Sequence, residues 1–378
     1  MGSSMAISSN LFNVDKSVEE ERVLLIKAAE LGIAQQLDSL SETMLQKLIA
    51  TKTEGQLRQF VQSEGFRLWD SGRKGAVNDF VIDDRPLYWQ RLVVAPMIRA
   101  RAKQLRLSSE TIEQLLTSFE QTSRGQNDIV WTVPGARRVL ITGFDPFSLD
   151  RHIGQSNPSG AIALSLDGRV FEGDGGTIEI NAAIFPVRYV DFDAGILEQW
   201  LAPHLSSGLI DLFVSVSMGR DQFDLERFPG RRRSSSALGN LQEHTGGTAA
   251  FPKPGLLDGE PLQGPEFVEF SLPVALMQRV EGDYKIRDNH TVTTLERGTF
   301  EAASLASLRY QTAVQGSGGG YLSNEISYRS IRLANELGVA LPMGHIHTPS
   351  IEGSAPKEVA SIVSQVREML LLAASPVQ

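Results

Sequence analysis

Apolar residues in the first third of the chain recur at helical spacing. Ser17 followed by Glu20 has the pattern of a capping box, and Val23, Leu24, Ile26, Leu31 and Ile33 then fall along one stripe. Ser41 reads as the opening of a second run through Met44, Leu45, Leu48 and Ile49. Pro86 stands where a first-turn proline is tolerated, ahead of Leu87, Trp89, Leu92, Val93 and Ile98. A further run, Ile112 to Phe119, follows Ser108-Ser109. These stripes predict a mainly helical N-terminal region over residues 1–130, with its apolar faces used for packing. Gln121 to Asp128 is polar and contains glycine, which predicts a linker.

After Trp131 the period changes, and residues 131–378 read as a second unit. Val139 to Thr142, Ile178 to Phe185 and Leu209 to Val216 are continuous apolar runs of strand length. Ser159 to Leu166 and Ile196 to Leu205 lie between them with helical patterns, and Ala355 to Ala374 predicts a closing amphipathic helix. Strands without polar alternation are buried on both faces, and crossovers of this length allow parallel neighbours. The pattern predicts an α/β unit whose sheet lies between helical layers. Arg231 to Pro265, rich in Gly, Pro, Ser and charge, predicts a solvated loop or one that sends an arginine into a site.

Composition narrows the function classes. The net charge is −9, with 41% hydrophobic and 21% charged residues, and the isoelectric point is near 5.3. An acidic balance argues against a nucleic-acid partner. No run approaches the roughly 18 apolar residues of a membrane span, and no basic-then-apolar leader is visible, so the expectation is a cytoplasmic protein without a membrane partner. Met1-Gly2-Ser3-Ser4 reads as an expression remnant ahead of a start at Met5. Without a secretion route, the sequon Asn289-His290-Thr291 reads as chance. The chain has no cysteine.

Candidate chemistry lies near the C-terminal end. Gly319-Gly320-Tyr321-Leu322-Ser323-Asn324 brings a hydroxyl to a helix start, and Met343-Gly344-His345-Ile346-His347 carries an imidazole on a short apolar segment. With Leu225-Glu226-Arg227 as a third member, Ser323, His347 and Glu226 have the residue types of a nucleophile, its base and the group that orients the base. Plainer roles exist for each: a helix cap for Ser323, a surface ion pair with Arg227 for Glu226, a metal shared by His345 and His347. The Gly318-Gly319-Gly320 run lacks the lysine of a phosphate-binding loop.

Six patches occur in a telling order: Thr142 to Phe147 with Asn157-Pro158-Ser159, Phe185-Pro186-Val187, Gly219-Arg220 ahead of Leu225-Glu226-Arg227, Ser271 to Val274, Gly320 to Asn324, and Ile346 to Pro349. Together, over roughly residues 136 to 375, they resemble the pyroglutamyl peptidase I (pyrrolidone-carboxylate peptidase) family of intracellular cysteine peptidases. The resemblance implies a three-layer α/β/α sandwich with a mixed, mostly parallel sheet, a small pyroglutamyl-peptide or lactam-like substrate, no cofactor and no metal. It also implies a homo-oligomer, often a tetramer. It places the catalytic roles on Ser323, in the cysteine's place, on His347 and on Glu226. Phe144 and Phe147 fall where the ring-sandwiching phenylalanines stand, and Asn157 where an asparagine contacts substrate. Ser217 lies in the segment where the family has a glutamine, here Val216-Ser217-Met218 and one residue shorter. The family's arginine after the glutamate is replaced by Ser236, and Glu325 stands where histidine is common. The segment from Val280 to Gln311 is long enough to add a hairpin over the cleft. Three functions follow: a peptidase whose Ser323 is natural or replaces a cysteine, an inactive homologue that binds a partner, or a serine amidase or acyltransferase of changed substrate.

Overall fold

A computed structural model describes residues 27, 30–78 and 82–375. Ser17, Glu20 and the first apolar stripe, up to Ile26, lie outside the described residues. Four helices follow: α1 (Ala34–Ala50), α2 (Glu54–Asn78), α3 (Arg85–Gln104) and α4 (Ser109–Thr122). Local signals predict two of their starts. Pro86 sits in the first turn of α3, and Ser108 caps α4 by accepting from the Thr111 N–H at 3.1 Å. Ser41 does not open a helix. It lies within α1, where its hydroxyl donates to the Leu37 carbonyl at 2.8 Å, the alternative use of a mid-helix serine.

The rest is an α/β unit built from β1 (Arg137–Phe144), α5 (Pro158–Leu166), β2 (Arg169–Gly173), β3 (Gly176–Phe185), α6 (Ile196–Ser206), β4 (Leu212–Met218) and β5 (Phe223–Glu226). It continues through β6 (Ile286–Asn289), β7 (Thr291–Thr294), β8 (Gly298–Glu301), β9 (Ala313–Gln315), α7 (Leu322–Leu337), β10 (Met343–Thr348) and α8 (Pro356–Ala374). The central sheet has the order β6-β5-β10-β4-β1-β3-β2. Neighbours are parallel except at β10–β5 and β2–β3, so the sheet is mixed and mostly parallel. Helices α5 and α8 pack together on one face and α6 and α7 on the other, giving the three-layer sandwich. The long segment after Val280 supplies β6 and then a separate three-stranded sheet, β8-β7-β9, so the extra hairpin is present.

The predicted linker is a buried junction. Ser123, Arg124 and Gln126 are all buried, and Arg124 grips Asp145 through two nitrogens at 2.8 and 3.0 Å. Arg91 of α3, 1% exposed, takes the other Asp145 oxygen at 2.9 Å. The Gln126 amide donates to the Ile184 carbonyl, and Trp200 of α6 donates to the Gln126 carbonyl, both at 2.9 Å. Gly125 is at φ +73°, and a Cβ there would come within 2.4 Å of the Trp69 ring. The N-terminal helices and the sandwich share one hydrophobic core. No helix among the described residues is long and apolar enough to cross a membrane.

Candidate active site

The site forms at one edge of the sheet because parallel strands line up their C-terminal ends. Thr142, Ser215 and His345 stand in register across β1, β4 and β10, and two residues further along lies His347, opposite Ser217. Period-two alternation puts His345 and His347 on the same face. Their rings meet edge to face, 4.8 Å apart.

His347 and Glu226 come together across 121 residues of sequence. The His347 Nδ1 lies 2.5 Å from Glu226 Oε1. Glu226 is 2% exposed, and its other oxygen accepts from the Asn289 amide at 2.8 Å. Burial pushes its carboxyl above the usual range, opposed by the hydrogen bond from His347. Arg227 does not pair with Glu226: it reaches Asp288 at 2.7 Å and Glu269 at 3.2 Å. Nε2 of His347 has no hydrogen-bond partner among the described residues, and the residue borders a cavity of about 200 Å³. Met218, Gly219, Arg220, Asp224, Ser317 and Gly318 line the same cavity. Gly219 is required by closeness, since a Cβ there would lie 2.8 Å from the His347 Cβ and 2.9 Å from the Thr348 carbonyl oxygen.

His345 is a different kind of histidine. It is fully buried, with Nδ1 2.7 Å from Ser215 Oγ and Nε2 2.7 Å from Ser217 Oγ. Burial, then the neighbouring His347, pushes its pKa well below the ordinary histidine value, so the ring is neutral. With both nitrogens engaged by hydroxyls, it has none free to share a metal with His347. Among the described residues no group of three or more His, Cys, Asp or Glu is arranged to hold a metal ion.

Ser323 is the second residue of α7. Tyr321 is the N-cap and its side chain makes no cap bond, so Ser323 is not the helix cap. The first turn of a helix leaves its backbone N–H groups without intrahelical partners. Here the first intrahelical bond is from Glu325 N–H to the Tyr321 carbonyl at 3.1 Å. The Ser323 hydroxyl makes no hydrogen bond among the described residues and is half-buried. The loop joins the helix start to the cavity, because a Cβ on Gly318 would lie 3.3 Å from the Asn324 Cα. Asn324 ties the helix start to a second segment: its amide exchanges two hydrogen bonds with the Gly230 backbone, at 2.8 and 2.9 Å. Glu325, one turn into the helix and buried, takes Arg233 at 2.6 and 2.8 Å and Arg329 at 2.9 Å. Arg231 and Arg232 pair with Glu266, so none of the three consecutive arginines enters the cavity.

The residues assigned to substrate by resemblance are mostly interior. Phe144 is buried and stacks on Phe192 at 6.2 Å, while Phe147 is half-buried. Asn157 is the N-cap of α5, accepting from the Ser159 N–H and hydroxyl at 3.1 and 2.8 Å and donating to the Asp145 carbonyl at 3.0 Å. The Ser217 hydroxyl is engaged with His345. Sequence reading missed Asn289, which also donates to the Ser317 carbonyl at 3.1 Å and so links the acid to the cavity loop. Its sole signal was the sequon, which suggested nothing about catalysis.

Comparison with known proteins then sorts the two regions. The family model described as PA0049, C-terminal domain, matches residues 138–257 and 263–352, and that of the PA0049 N-terminal domain matches residues 5–120. The chain belongs to the PA0049 family. The uncharacterized protein PA0049 of Pseudomonas aeruginosa is 30% identical over 382 residues, covering 77% of this chain and 69% of its own length. Solved structures of related shape include a mutant of pyrrolidone carboxyl peptidase from Pyrococcus furiosus, at a TM-score of 0.43 and 19% identity, covering 62% of this chain and 97% of that one. Pyroglutamyl peptidase I from Bacillus amyloliquefaciens has a TM-score of 0.43 and 17% identity, covering 64% of this chain and 96% of its own. In this PA0049-family member the histidine–carboxylate pair lies in the C-terminal domain.

Proposed function

We propose that this protein is an amide hydrolase in which Ser323 is the nucleophile, His347 the base and Glu226 the group that orients the imidazole. The observation that carries this reading is the Glu226–His347 pair, 2.5 Å apart at a cavity whose wall reaches the start of α7. With Nδ1 held by the carboxylate, Nε2 faces the cavity and can take the Ser323 proton as Oγ attacks the scissile carbonyl. The negative charge formed on that carbonyl oxygen would be met by the unbonded N–H groups and dipole of the α7 first turn. Collapse breaks the C–N bond, and His347 returns the proton to the departing amine. Water, activated by the same imidazole, then hydrolyses the acyl ester and restores Ser323. Apo enzymes often hold such groups apart until substrate tightens the geometry, so the absence of a Ser323–His347 hydrogen bond is compatible with this role.

The substrate class is the amide of an N-terminal pyroglutamyl or related cyclic or acyl group on a small peptide. Of the residues assigned to substrate by resemblance, Phe147, half-buried, is the one with side-chain surface to offer; Phe144, Asn157 and Ser217 are buried and engaged with other residues. Release of arylamine from pyroglutamyl, prolyl and glutaminyl arylamides tests the reading. Activity should vanish in Ser323→Ala and in His347→Ala. Ser323→Cys should raise it by orders of magnitude if the helix start is tuned to a thiolate, and leave it unchanged or lower if the hydroxyl is the working group. Full activity in Ser323→Ala would overturn the assignment. The unbonded Ser323 hydroxyl favours one second reading, an inactive homologue that binds its ligand in the same cavity, and the lack of turnover by both Ser and Cys forms would select it.

A further inference from the structure

Arg220 stands apart from the charged groups around it. It is exposed, lines the cavity beside His347, and has no hydrogen-bond or ion-pair partner for its guanidinium among the described residues. The other charged residues of the lining are engaged. Asp224 is held by Arg287 at 2.7 and 3.0 Å, and Glu226 by His347 and Asn289. The acidic neighbour Asp221 is also taken, by Arg287 at 3.2 Å. In a chain with 45 acidic residues against 36 basic ones, an arginine at a cavity mouth without a carboxylate is the unusual case.

The backbone that presents Arg220 is pinned on both sides. The Gly219 N–H donates to the Thr348 carbonyl at 2.8 Å, and the Ser350 N–H donates to the Arg220 carbonyl at 2.6 Å. The anchor segment is the continuation of the strand that carries His347, so Arg220 and the imidazole share one rigid support. A guanidinium offers a planar fork of donors that matches a carboxylate in bidentate fashion. Met218 adds an apolar wall in the segment where the resembling family has a glutamine.

We infer that Arg220 is a specificity-determining residue that binds a carboxylate of the substrate, so that the cavity takes amides carrying an acidic group a few bonds from the scissile carbonyl. This rests on the amide-hydrolase reading of the same cavity and adds the charge of the substrate to it. The volume, about 200 Å³, equals the liquid share of roughly six or seven waters, which is room for a short dicarboxylic acid monoamide.

The probes are glutarate monoamide and its neutral counterpart glutaramide, titrated calorimetrically into the wild type, Arg220→Gln and His347→Ala. The monoamide should bind the wild type and His347→Ala at least tenfold tighter than glutaramide does. Arg220→Gln should lose about 10- to 100-fold for the monoamide and nothing for the diamide. Equal binding of the two probes, unchanged monoamide affinity in Arg220→Gln, or no binding by either probe would overturn the inference. Melting temperatures within a degree or two of wild type exclude misfolding of this exposed-site variant. The glutaryl and butyryl arylamides separate the two readings. Charge-selective binding without arylamine release would defeat the hydrolase and leave the carboxylate site standing. Release from both arylamides, equally weakened by Arg220→Gln, would keep the hydrolase and make Arg220 a general part of its machinery.

Discussion

At the junction between the N-terminal helices and the sandwich, Asp145 is 2% exposed and closed on both sides by Arg91 and Arg124. At the cavity, Nε2 of His347 and the guanidinium of Arg220 have no partner among the described residues, and nor has the Ser323 hydroxyl at the nearby start of α7. The two regions use the same side-chain chemistry to opposite ends. Buried charge that is fully paired fixes how two layers fit, and any ligand there would have to displace a partner. Polar groups held in place by backbone and neighbours, yet unbonded at the working atom, are what a ligand can use.

The contrast predicts which changes damage folding and which damage function. The largest effect is expected from Asp145→Ala, which leaves two buried guanidinium groups facing each other. Removing one partner of a buried pair costs about 3–5 kcal/mol. Chemical denaturation should show a loss of that order or failure to accumulate folded protein, and a loss below about 1 kcal/mol would show that the junction is not set by these charges. His347→Ala should weigh the other way: amidase activity should fall by about 10²–10⁴-fold, the usual share of a general base, with a smaller stability loss than Asp145→Ala, because the orphaned Glu226 carboxyl keeps its Asn289 bond and burial already favours its protonated form. A stability loss matching Asp145→Ala would erase the distinction between the regions. Asn289→Ala should sit between them, lowering kcat by about tenfold by freeing one oxygen of Glu226 while leaving KM alone. An unaltered pH profile of kcat would show that Asn289 does not act through the acid.

Stability should also depend on pH at the junction. Asp84 accepts from the Ser156 hydroxyl and the Asn157 N–H, and burial raises its pKa to about 7. Its unfolded value is near 4, so between pH 4 and 7 the folded state binds more protons and stability from this group falls as pH rises. Asp84→Asn should flatten that slope in denaturation curves recorded at pH 5, 6 and 7. A slope identical to wild type would place the titration elsewhere, for instance on Asp167, which burial raises to about 6.

How much was legible in the sequence follows the range of the interaction responsible. Ser108 and Pro86 act within one turn, and both predictions were right. β1, β3 and β4 were found from their apolar runs, though β1 extends to Arg137–Phe144 beyond the predicted Val139 to Thr142 and β4 runs Leu212–Met218 against the predicted Leu209 to Val216; β2, β5 and β6 carry no such run and were missed. The segment Gln121 to Asp128 looked like a linker because its polar residues carry no mark of being buried; what buries them is Asp145 and Ile184, elsewhere in the chain. Arg233 likewise gives no local sign of its partners, Glu325 being 92 residues away. The Glu226–His347 pairing was reached through ordered patches rather than through spacing. Asn289, 63 residues from Glu226, was missed because a cross-strand partner in register is a property of the sheet.

Asn289 has one more consequence. It ends β6, and the inserted three-stranded sheet begins within two residues of it and returns to the cavity at Ser317. The insert is therefore attached like a handle, fixed at both ends to groups that Asn289 itself bridges. Its apolar side chains Val292, Ala302, Leu308 and Ala313 pack in one cluster with Phe228, two residues beyond Glu226, so the body of the insert is coupled to the carboxylate as well. For a protein engineer this marks the exposed turn at residues 295–299 as the graft point, since it is the part of the insert that lies outside that packing.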